Sequence, residues 1–405
     1  MQNLTIISQY FYPNSASTAQ LITDLSRGFA ERGYVVKVLT SGHDHSKINL
    51  VDGFLSQIKI NRTPYINWHN QNIFIKVFNS LIFLFISFAY IIFNVNYNNT
   101  LLIVSNPPYS GILGLGFKIF KQGKFYFLLQ DIFPESAVLI GIIKSSSFLF
   151  KFCSYLTYLT CKYSQNTIVL SSSMKIFLGK KYSDIQENDK IEIVENWSIE
   201  DIYICSKKNN EFAIQHGFDK LFTILYSGNL GRLHDIESIA FAAQFLNDTS
   251  IQFVFIGDGA KQKLLERYIQ EHQLKNILLL PFQPRDVLSQ SLTACDVSLV
   301  SLIEGAEEII APCKLYGMLA AGRAILSISS TGSYIDQLLN DYSCGINCPP
   351  HNPQQLADTI AKLAADPERV TAMGKRARQL YEEKYTFSRA LDEYEKLLFN
   401  TELLN

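Results

Sequence analysis

The chain has 405 residues, of which 47% are apolar and 18% charged, and its mean hydropathy is +0.07. This length exceeds one ordinary core and predicts two domains, and the composition is that of a folded globular protein. The net charge of −1 conceals an asymmetry, because residues 1–165 carry +7 and the remainder −8. The basic part holds 29 of the 51 Phe, Tyr and Trp residues. This pattern suggests an anionic membrane surface or lipid-linked partner, with a basic face over a large core as the alternative.

Strand-like and helical segments alternate from the beginning of the chain. Residues 3–8 predict a buried strand, and Ser17 and Thr18 predict the cap of a helix that runs through Arg32 and ends at Gly33. Further strands are predicted at 34–40, 101–104, 125–129, 167–171 and 191–194. Such alternation predicts parallel pairing and a doubly wound sheet.

One apolar segment, Val77–Phe93, is long enough to raise the question of a membrane. Its uninterrupted part is short for a spanning helix, which needs about 20 residues. Extension back to Ile73 reaches that length but includes Lys76 and Asn79. We expect a helix of the first domain that is buried or dips into a membrane surface, with a span at 73–93 as the alternative.

A polar stretch around 199–218 predicts the linker, and a second alternating series follows it. Strands are predicted at 221–225, 252–256, 277–280, 297–300 and 324–328. Helices are predicted at 235–246, 260–272, 284–294, 313–321, 353–365, 367–381 and 389–399. The predicted domains are therefore residues 1–200 and 201–382, followed by a C-terminal helix within 383–405 that can pack back on the first domain.

Three loops at carboxyl ends of the second series are candidates for ligand contact. The first, YSGNLGR at 226–232, joins a strand to a helix, as loops that hold diphosphates commonly do, and Arg232 offers a planar cation. The second is Gly257-Asp258-Gly259, for which a tight turn is the alternative. The third, Ser301–Gly322, contains Pro312 and Lys314. A lysine in the first turn of a helix is unfavourable unless an anion lies nearby, and a solvated lysine is the alternative.

In combination these motifs resemble retaining glycosyltransferases of family 4, which have the GT-B fold. The resemblance covers nearly the whole chain: YFYPNSASTAQLITDLSRGFAERGYVVKVLTS near its beginning, QDIFPESAVLIG at 130–141, YSGNLGRLHDIE at 226–237, VFIGDGAKQKLLE at 254–266, PFQPRDVLSQSLTACDVSLV at 281–300 and PCKLYGMLAAGRAIL at 312–326. QDIFPESA together with PCKLYGMLAAGR is most similar to the branch that builds O-antigen, capsule and colanic-acid type polysaccharides.

The resemblance implies an α/β protein with two Rossmann-like domains facing a cleft, the donor on the second domain and the acceptor on the first. The donor is a nucleotide-sugar, most often a UDP-sugar. Asp131, Arg232 and Lys314 are the implied catalytic residues. The implied donor contacts are Ser227, Gly228, Asn229, Gly231, Gly257, Asp258, Gly259, Phe282, Glu307, Glu308, Pro312 and Leu315; the implied acceptor contacts are Tyr12, Ser17, Thr18 and Asn106.

The chain departs from the family pattern at several positions. Gln130 stands where the family commonly has His, and Gly317 and Ile309 stand where it shows two Glu, so Glu307 or Glu308 would have to serve as the first carboxylate. Glu237 occupies the position of a second phosphate cation, so neutralisation of the donor phosphates would depend more on Lys314. Asp131 can alternatively be a cap or a loop carboxylate that bonds to the backbone.

No metal or cofactor is expected. Asp-Xaa-Asp is absent from the sequence, which argues against the metal-dependent GT-A type. His43-Asp44-His45 is a poor metal site, because adjacent residues rarely converge on one ion. Seven scattered cysteines fit reduced thiols in the cytosol.

The sequence therefore predicts a retaining, metal-independent glycosyltransferase that acts on a polyprenol-linked or oligosaccharide acceptor. We expect a cytoplasmic protein, peripheral to the inner membrane, with no nucleic-acid partner. Two alternatives stay open: a nucleotide-sugar epimerase of the same fold, and a non-catalytic member that binds nucleotide-sugar or acts as a scaffold.

Overall fold

The computed structural model describes residues 2–14, 16–42, 57–66, 73–198 and 202–399. The chain divides into two compact units. Unit 1 comprises Met1–Ile199, Ile309–Ala311 and Ser388–Asn405, and unit 2 comprises Glu200–Glu308 and Pro312–Phe387. The second boundary lies after residue 387 and not after 382, because a helix continues to Lys384.

Unit 1 is built on a parallel sheet of buried, mostly apolar strands. Among the described residues the strand order is β3-β2-β1-β4-β5-β6-β7. The order reverses direction at β1, as a doubly wound sheet requires. The strands are β1 Asn3–Ile7, β2 Val35–Ser41, β3 Ile58–Thr63, β4 Thr100–Val104, β5 Phe125–Leu128, β6 Thr167–Val169 and β7 Ile191–Ile193.

Helices connect these strands. They are α1 Ser17–Glu31, α2 Ile73–Asn94, α3 Gly111–Lys121, α4 Glu135–Leu139, α5 Phe148–Tyr163, α6 Ser172–Lys181 and α7 Ser183–Glu187. The predicted cap of α1 is wrong: Ala16 is the N-cap and accepts no side-chain bond, while Thr18 Oγ1 donates to Gln130 Oε1 at 2.6 Å. The helix ends as expected near Gly33, whose φ of 84° suits glycine.

Unit 2 has the same architecture, and its described residues form a six-stranded parallel sheet in the order β10-β9-β8-β11-β12-β13. Its strands are β8 Phe222–Ser227, β9 Ile251–Ile256, β10 Ile277–Leu280, β11 Val297–Ser301, β12 Ala324–Ile328 and β13 Gly345–Cys348. Its helices are α8 Glu211–Gln215, α9 Ile236–Phe245, α10 Gln262–Glu271, α11 Leu288–Thr293, α12 Lys314–Ala320, α13 Tyr334–Asp341, α14 Pro353–Ala364 and α15 Pro367–Lys384. Short 3₁₀ turns occupy Lys207–Asn209, Arg285–Val287 and Ala306–Glu308.

The helix α16, Phe387–Phe399, belongs to unit 1 from Ser388 onward. Arg32 pairs with both Asp392 and Glu395 on this helix. The Phe399 ring stacks on Tyr34 with centroids 4.4 Å apart. These contacts hold α16 to the end of α1, so residues far apart in the sequence complete one unit.

Candidate functional site

The first glycine loop of unit 2 leaves the sheet at the carboxyl end of β8. Gly228 has φ of 129°, a conformation that side-chain-bearing residues rarely adopt. Its N–H donates to Ile256 O, and Leu230 N–H donates to Asp258 O. Within the described part of the chain, the N–H groups of Asn229, Gly231 and Arg232 have no protein acceptor. The loop therefore offers donors to a ligand.

Lys314 lies directly against this loop. A Cβ added at Gly228 would sit 3.4 Å from Lys314 Cε and 3.5 Å from its Nζ. The ammonium donates to Tyr226 Oη at 2.5 Å and lies 3.8 Å from the centroid of that ring. Tyr226 Oη in turn donates to Asn229 O at 2.9 Å. Lysine, tyrosine and glycine loop thus form one connected group.

Desolvation lowers the pKa of Lys314 to about 7, although part of its side chain stays accessible. Burial raises the pKa of Tyr226, which keeps its phenol protonated. The lysine is therefore a cation without a carboxylate partner among the described residues. An anion bound here would raise the pKa of Lys314 and keep the ammonium charged.

His234 is a member of this group that the sequence interpretation missed. Its Nδ1 lies 2.5 Å from Ser301 O, so Nδ1–H donates to that carbonyl. Desolvation and the charge of Lys314 lower the pKa of His234 to about 3. The neutral ring links the first loop to the end of β11. The ring packs beside the first loop, since an added Cβ at Gly231 would approach His234 Cδ2 to 3.3 Å, and no sequence pattern announced this contact.

The helix after the loop does not offer an open N-terminus. Asp235 is its N-cap, and its carboxylate accepts from Ser238 N and from Ser238 Oγ. The carboxylate of Asp235 already occupies this terminus, which disfavours a second anion there. At the position where the family has a second cation, Glu237 pairs with Lys261 at 2.7 Å.

The second glycine loop packs on the first. A Cβ at Gly257 would meet Gly228 O at 2.3 Å, and one at Gly259 would meet Asn229 Oδ1 at 2.4 Å. Glycine is thus required by close approach at both positions. Phe282, which is 55% exposed, lies beside Gly257, since an added Cβ there would be 3.2 Å from the ring. Asp258 uses its carbonyl in the loop and leaves its carboxylate exposed.

The two candidate carboxylates of the third loop differ in burial. Glu307 is buried, and its Oε2 has no hydrogen-bond partner among the described residues, whereas Glu308 is exposed. A buried carboxylate oxygen without a donor is costly and suits a ligand hydroxyl. Glu307 is thus the better candidate for the first carboxylate.

Three further predicted donor contacts differ in how far they are buried. Leu315 is fully buried, and its N–H donates to Pro312 O, so neither its side chain nor its N–H is open to a ligand in this structure. Pro312 itself is buried and lies two residues before the start of α12. Ser227 ends β8 half-buried beside the first loop.

The predicted catalytic carboxylate of unit 1 follows β5. Asp131 is exposed, yet the protein atoms crowded around it raise its pKa to about 6 by desolvation. It lines a small cavity together with Tyr109, Phe133 and Thr157. The neighbouring Gln130 accepts from Thr18 and, through its N–H, donates to Ser105 Oγ at 2.9 Å. Asp131 is thus a titratable group at a recess of the sheet edge.

The remaining acceptor candidates lie near this edge. Tyr12 N–H donates to Thr23 Oγ1, and Tyr12 O accepts from Arg62. Asn106 O accepts from Gln9 N–H. Ser17 is exposed at the start of α1. His43-Asp44-His45 lies outside the described residues. Within them, no group of three His, Cys, Asp or Glu could hold a metal ion.

The chain is similar in sequence to known and proposed glycosyltransferases. Residues 207–380 match the family model of glycosyl transferases group 1. WbjE of Pseudomonas aeruginosa, named as a probable glycosyltransferase, is 27% identical over 66% of the chain and 64% of its own length. WcaI of Escherichia coli K12, whose name assigns it to colanic acid biosynthesis, is 32% identical over 29% of each protein. The chain thus spans less than two thirds of either relative.

Two solved structures share the fold over nearly their whole length. Sucrose-phosphate synthase from Thermosynechococcus elongatus superposes with a TM-score of 0.76 over 98% of both chains at 15% identity. Anabaena Alr3699/HepE in complex with UDP and glucose has a TM-score of 0.74 over 99% of this chain and 100% of its own at 12% identity. The fold is therefore that of the GT-B glycosyltransferases, as predicted.

Proposed function

We propose that the protein is a retaining, metal-independent glycosyltransferase of bacterial surface polysaccharide biosynthesis, of the O-antigen, capsule or colanic-acid type. It takes a sugar from a nucleotide-sugar, most often a UDP-sugar, and transfers it to a polyprenol-linked or oligosaccharide acceptor. It works as a peripheral protein at the cytoplasmic face of the membrane. One observation carries the proposal: a partly desolvated lysine lies against a glycine loop with open N–H donors.

The donor diphosphate fits that group because it supplies the charge that the group lacks. Its oxygens accept from the N–H groups of Asn229, Gly231 and Arg232, while Lys314 and the Arg232 guanidinium neutralise it. Departure of the nucleoside diphosphate adds negative charge at the bridging oxygen. Cations already fixed around that oxygen stabilise the transition state more than the ground state. No metal is needed for this step.

The sugar is oriented by the third loop. Glu307 Oε2, buried and without a partner among the described residues, accepts a hydrogen bond from a sugar hydroxyl. Phe282 offers an exposed ring beside Gly257 against which the base or ribose packs. This contact compensates for Gly317, which has no side chain to hold the ribose hydroxyls.

In unit 1, Asp131 is the group that meets the acceptor. A carboxylate whose pKa is about 6 is ionised at neutral pH and accepts a hydrogen bond from an acceptor hydroxyl. Gln130 cannot shuttle a proton as the family histidine would. Its bond to Thr18 makes it a positioning residue for the adjacent loop.

The test is a transfer reaction followed by mass spectrometry. Purified protein is incubated with a panel of UDP- and GDP-sugars and a polyprenyl diphosphate-linked saccharide, with and without chelator. We expect one donor to give a product, chelator to leave the rate unchanged, and NMR of the anomeric proton to show retention. Arg232→Ala and Lys314→Ala should abolish transfer, while Lys362→Ala, an exposed lysine on α14, should not.

Free epimerised nucleotide-sugar formed without acceptor would replace this proposal by an epimerase. Nucleotide-sugar binding without any turnover across the panel would support a non-catalytic binding protein. Normal polysaccharide assembly in cells that carry the Arg232→Ala, Lys314→Ala double variant would reject catalysis by this chain.

A further inference from the structure

One face of unit 1 consists of three helices packed side by side. The helices are α2, α3 and α5, and we call their outward surface the three-helix face. The Phe88 ring of α2 meets the Phe120 ring of α3 edge-on with centroids 5.9 Å apart. Gly111 of α3 lies so close to α5 that an added Cβ would be 2.3 Å from Thr160 Cγ2. The surface is therefore continuous across the three helices.

Helix α2 exposes large apolar side chains, whereas a helix facing water exposes polar ones. Its buried residues are spaced four apart and are Asn79, Phe83, Ser87 and Ile91. Two of these four, Asn79 and Ser87, are polar. Its outward side carries large apolar residues instead, and Phe85 is 77% exposed. The described residues hold one helix that is long and apolar enough to cross a membrane, and it is this one. Its apolar side is thus turned away from the core of unit 1.

The apolar surface continues on the other two helices. Ile119 and Phe120 at the end of α3 are 71% and 66% exposed, and Phe148 at the start of α5 is 83% exposed. Leu149, Phe152 and Tyr155 follow on α5, also exposed. An apolar surface this extended is unusual on a soluble monomer and marks an interaction site.

The charges of this face have a single sign. The three helices contain no Asp or Glu, and they carry Lys76, Lys118, Lys121, Lys151 and Lys162. Lys162 pairs with Asp184 of α7, and Lys118 donates to Tyr163 O. A bond to a carbonyl leaves Lys118 charged, so four of the five lysines keep the face cationic. A second copy of the chain would bring lysines opposite lysines, because a two-fold interface pairs the same surface with itself.

We infer that the three-helix face docks on an anionic phospholipid bilayer. Its phenylalanines and leucines enter the boundary between headgroups and acyl chains, and its lysines meet the lipid phosphates. This inference rests on the proposed function for the membrane-borne acceptor, and it adds the surface, the lipid charge and the mode of attachment.

The mode is interfacial, because side chains of α2 between Asn79 and Tyr90 are hydrogen-bonded to the rest of unit 1. Asn79 Oδ1 accepts from Ile66 N, and Asn79 Nδ2 donates to Ile66 O, both at 3.0 Å. Gln9 Nε2 donates to Ser80 Oγ at 3.2 Å, and Asn61 Nδ2 donates to Tyr90 Oη at 3.1 Å. A spanning helix would have to break these bonds and expose Asn79 and Ser87 to lipid.

Docking in this way also orients the site of unit 1. Ile112 of α3 lies on the three-helix face and lines the cavity that Asp131 shares. Leu156 and Thr157 of α5 line the same cavity. The seam between α3 and α5 therefore runs from the bilayer surface toward the carboxylate, which suits an acceptor held in the membrane.

The test is flotation of the purified full chain with vesicles of phosphatidylcholine alone or with added phosphatidylglycerol. We expect the protein to float with the anionic vesicles and to be released by alkaline carbonate. Phe85→Glu and Phe148→Glu should each weaken vesicle binding at least about tenfold, since each removes an apolar side chain and adds a negative charge. Lys121→Gln should weaken it about fivefold.

Phe245→Glu is the matched control, because Phe245 is a 55% exposed phenylalanine on α9 of unit 2. It should float like the unmodified protein. Circular dichroism and UDP binding of each variant check folding independently of lipid. Transfer to a short-chain, detergent-dispersed acceptor should survive Phe85→Glu, so a failure of docking is distinguished from a failure of the proposed chemistry.

Three outcomes would overturn the inference. Equal loss of flotation in Phe245→Glu would indicate non-specific adsorption. Resistance to carbonate would indicate a span. Absence of flotation together with a lipid-free dimer that Phe85→Glu dissociates would assign the face to a second copy.

Discussion

Replacing Lys314 by methionine should make the protein more stable and should remove donor binding. Methionine keeps the length of the side chain and removes the ammonium. That ammonium has no carboxylate partner among the described residues, and desolvation lowers its pKa from 10.5 to about 7. The desolvated ammonium therefore lowers the stability of the folded protein until a bound anion compensates its charge.

The magnitude follows from proton linkage. A shift from 10.5 to about 7 corresponds to a penalty of at most about 5 kcal/mol, which is fully present below pH 7. Partial solvent access and the loss of the contacts with Tyr226 reduce the net gain. We expect Lys314→Met to raise the free energy of unfolding by about 1–3 kcal/mol at pH 7.

The dependence on pH has a definite sign. Between pH 7 and 10.5 the folded protein loses this proton and the unfolded chain keeps it, so the penalty fades as pH rises. The advantage of Lys314→Met should therefore shrink from pH 7 to pH 9. Likewise, UDP should bind to the unmodified protein most tightly below pH 7, and its affinity should fall up to about tenfold per pH unit above it.

Urea unfolding at pH 7 and pH 9 and calorimetry of UDP binding measure both effects. Lys362→Met, an exposed change on α14, should leave stability within about 0.5 kcal/mol. If Lys314→Met were less stable than the unmodified protein at pH 7 and bound UDP equally well, the account of this lysine would be refuted.

Three further predictions concern other features. Gly228→Ala should lower stability by about 1–2 kcal/mol and weaken UDP binding, whereas Gly217→Ala, also at positive φ but with nothing near its added Cβ, should change only stability; calorimetry and urea unfolding separate the two. Transfer activity should fall about tenfold per pH unit below pH 6, where Asp131 becomes protonated, and a pH profile of Asp131→Asn that kept this limb would assign it to another group. Arg32→Met should cost about 1–3 kcal/mol and expose α16 to limited proteolysis; unchanged protection would show that its aromatic contacts suffice.

Much of the fold follows from alternation in the sequence, but two edge strands do not. The run IKINRT of β3 mixes Lys59, Asn61 and Arg62 among apolar residues, and GINC of β13 contains two residues that strands disfavour. Both lie at an edge of their sheet, where one side of the strand has no neighbouring strand among the described residues. The other two edge strands, β7 and β10, are rich in Ile and Leu and are predicted, so it is the lack of a sustained apolar run, more than edge position, that hides β3 and β13.

Some features of the candidate site could also be expected from the sequence, and others could not. The proximity of Lys314 to Gly228 could be expected, because both follow strands that end at one edge of a parallel sheet. The role of His234 could not, because its neutral state depends on burial and on the distant Ser301 carbonyl. Nor could the difference between Glu307 and Glu308, which adjoin in sequence and differ in exposure.

The position of α16 has a consequence for biosynthesis. Unit 1 lacks this helix until residues 388–399 have been translated. During synthesis, the surface around Arg32 and Tyr34 therefore stays uncovered until the end of the chain has been made. Unit 2, whose segments are all translated earlier, can fold before unit 1 is complete. A premature stop codon after unit 2 would therefore damage the first unit to be synthesised and spare the second.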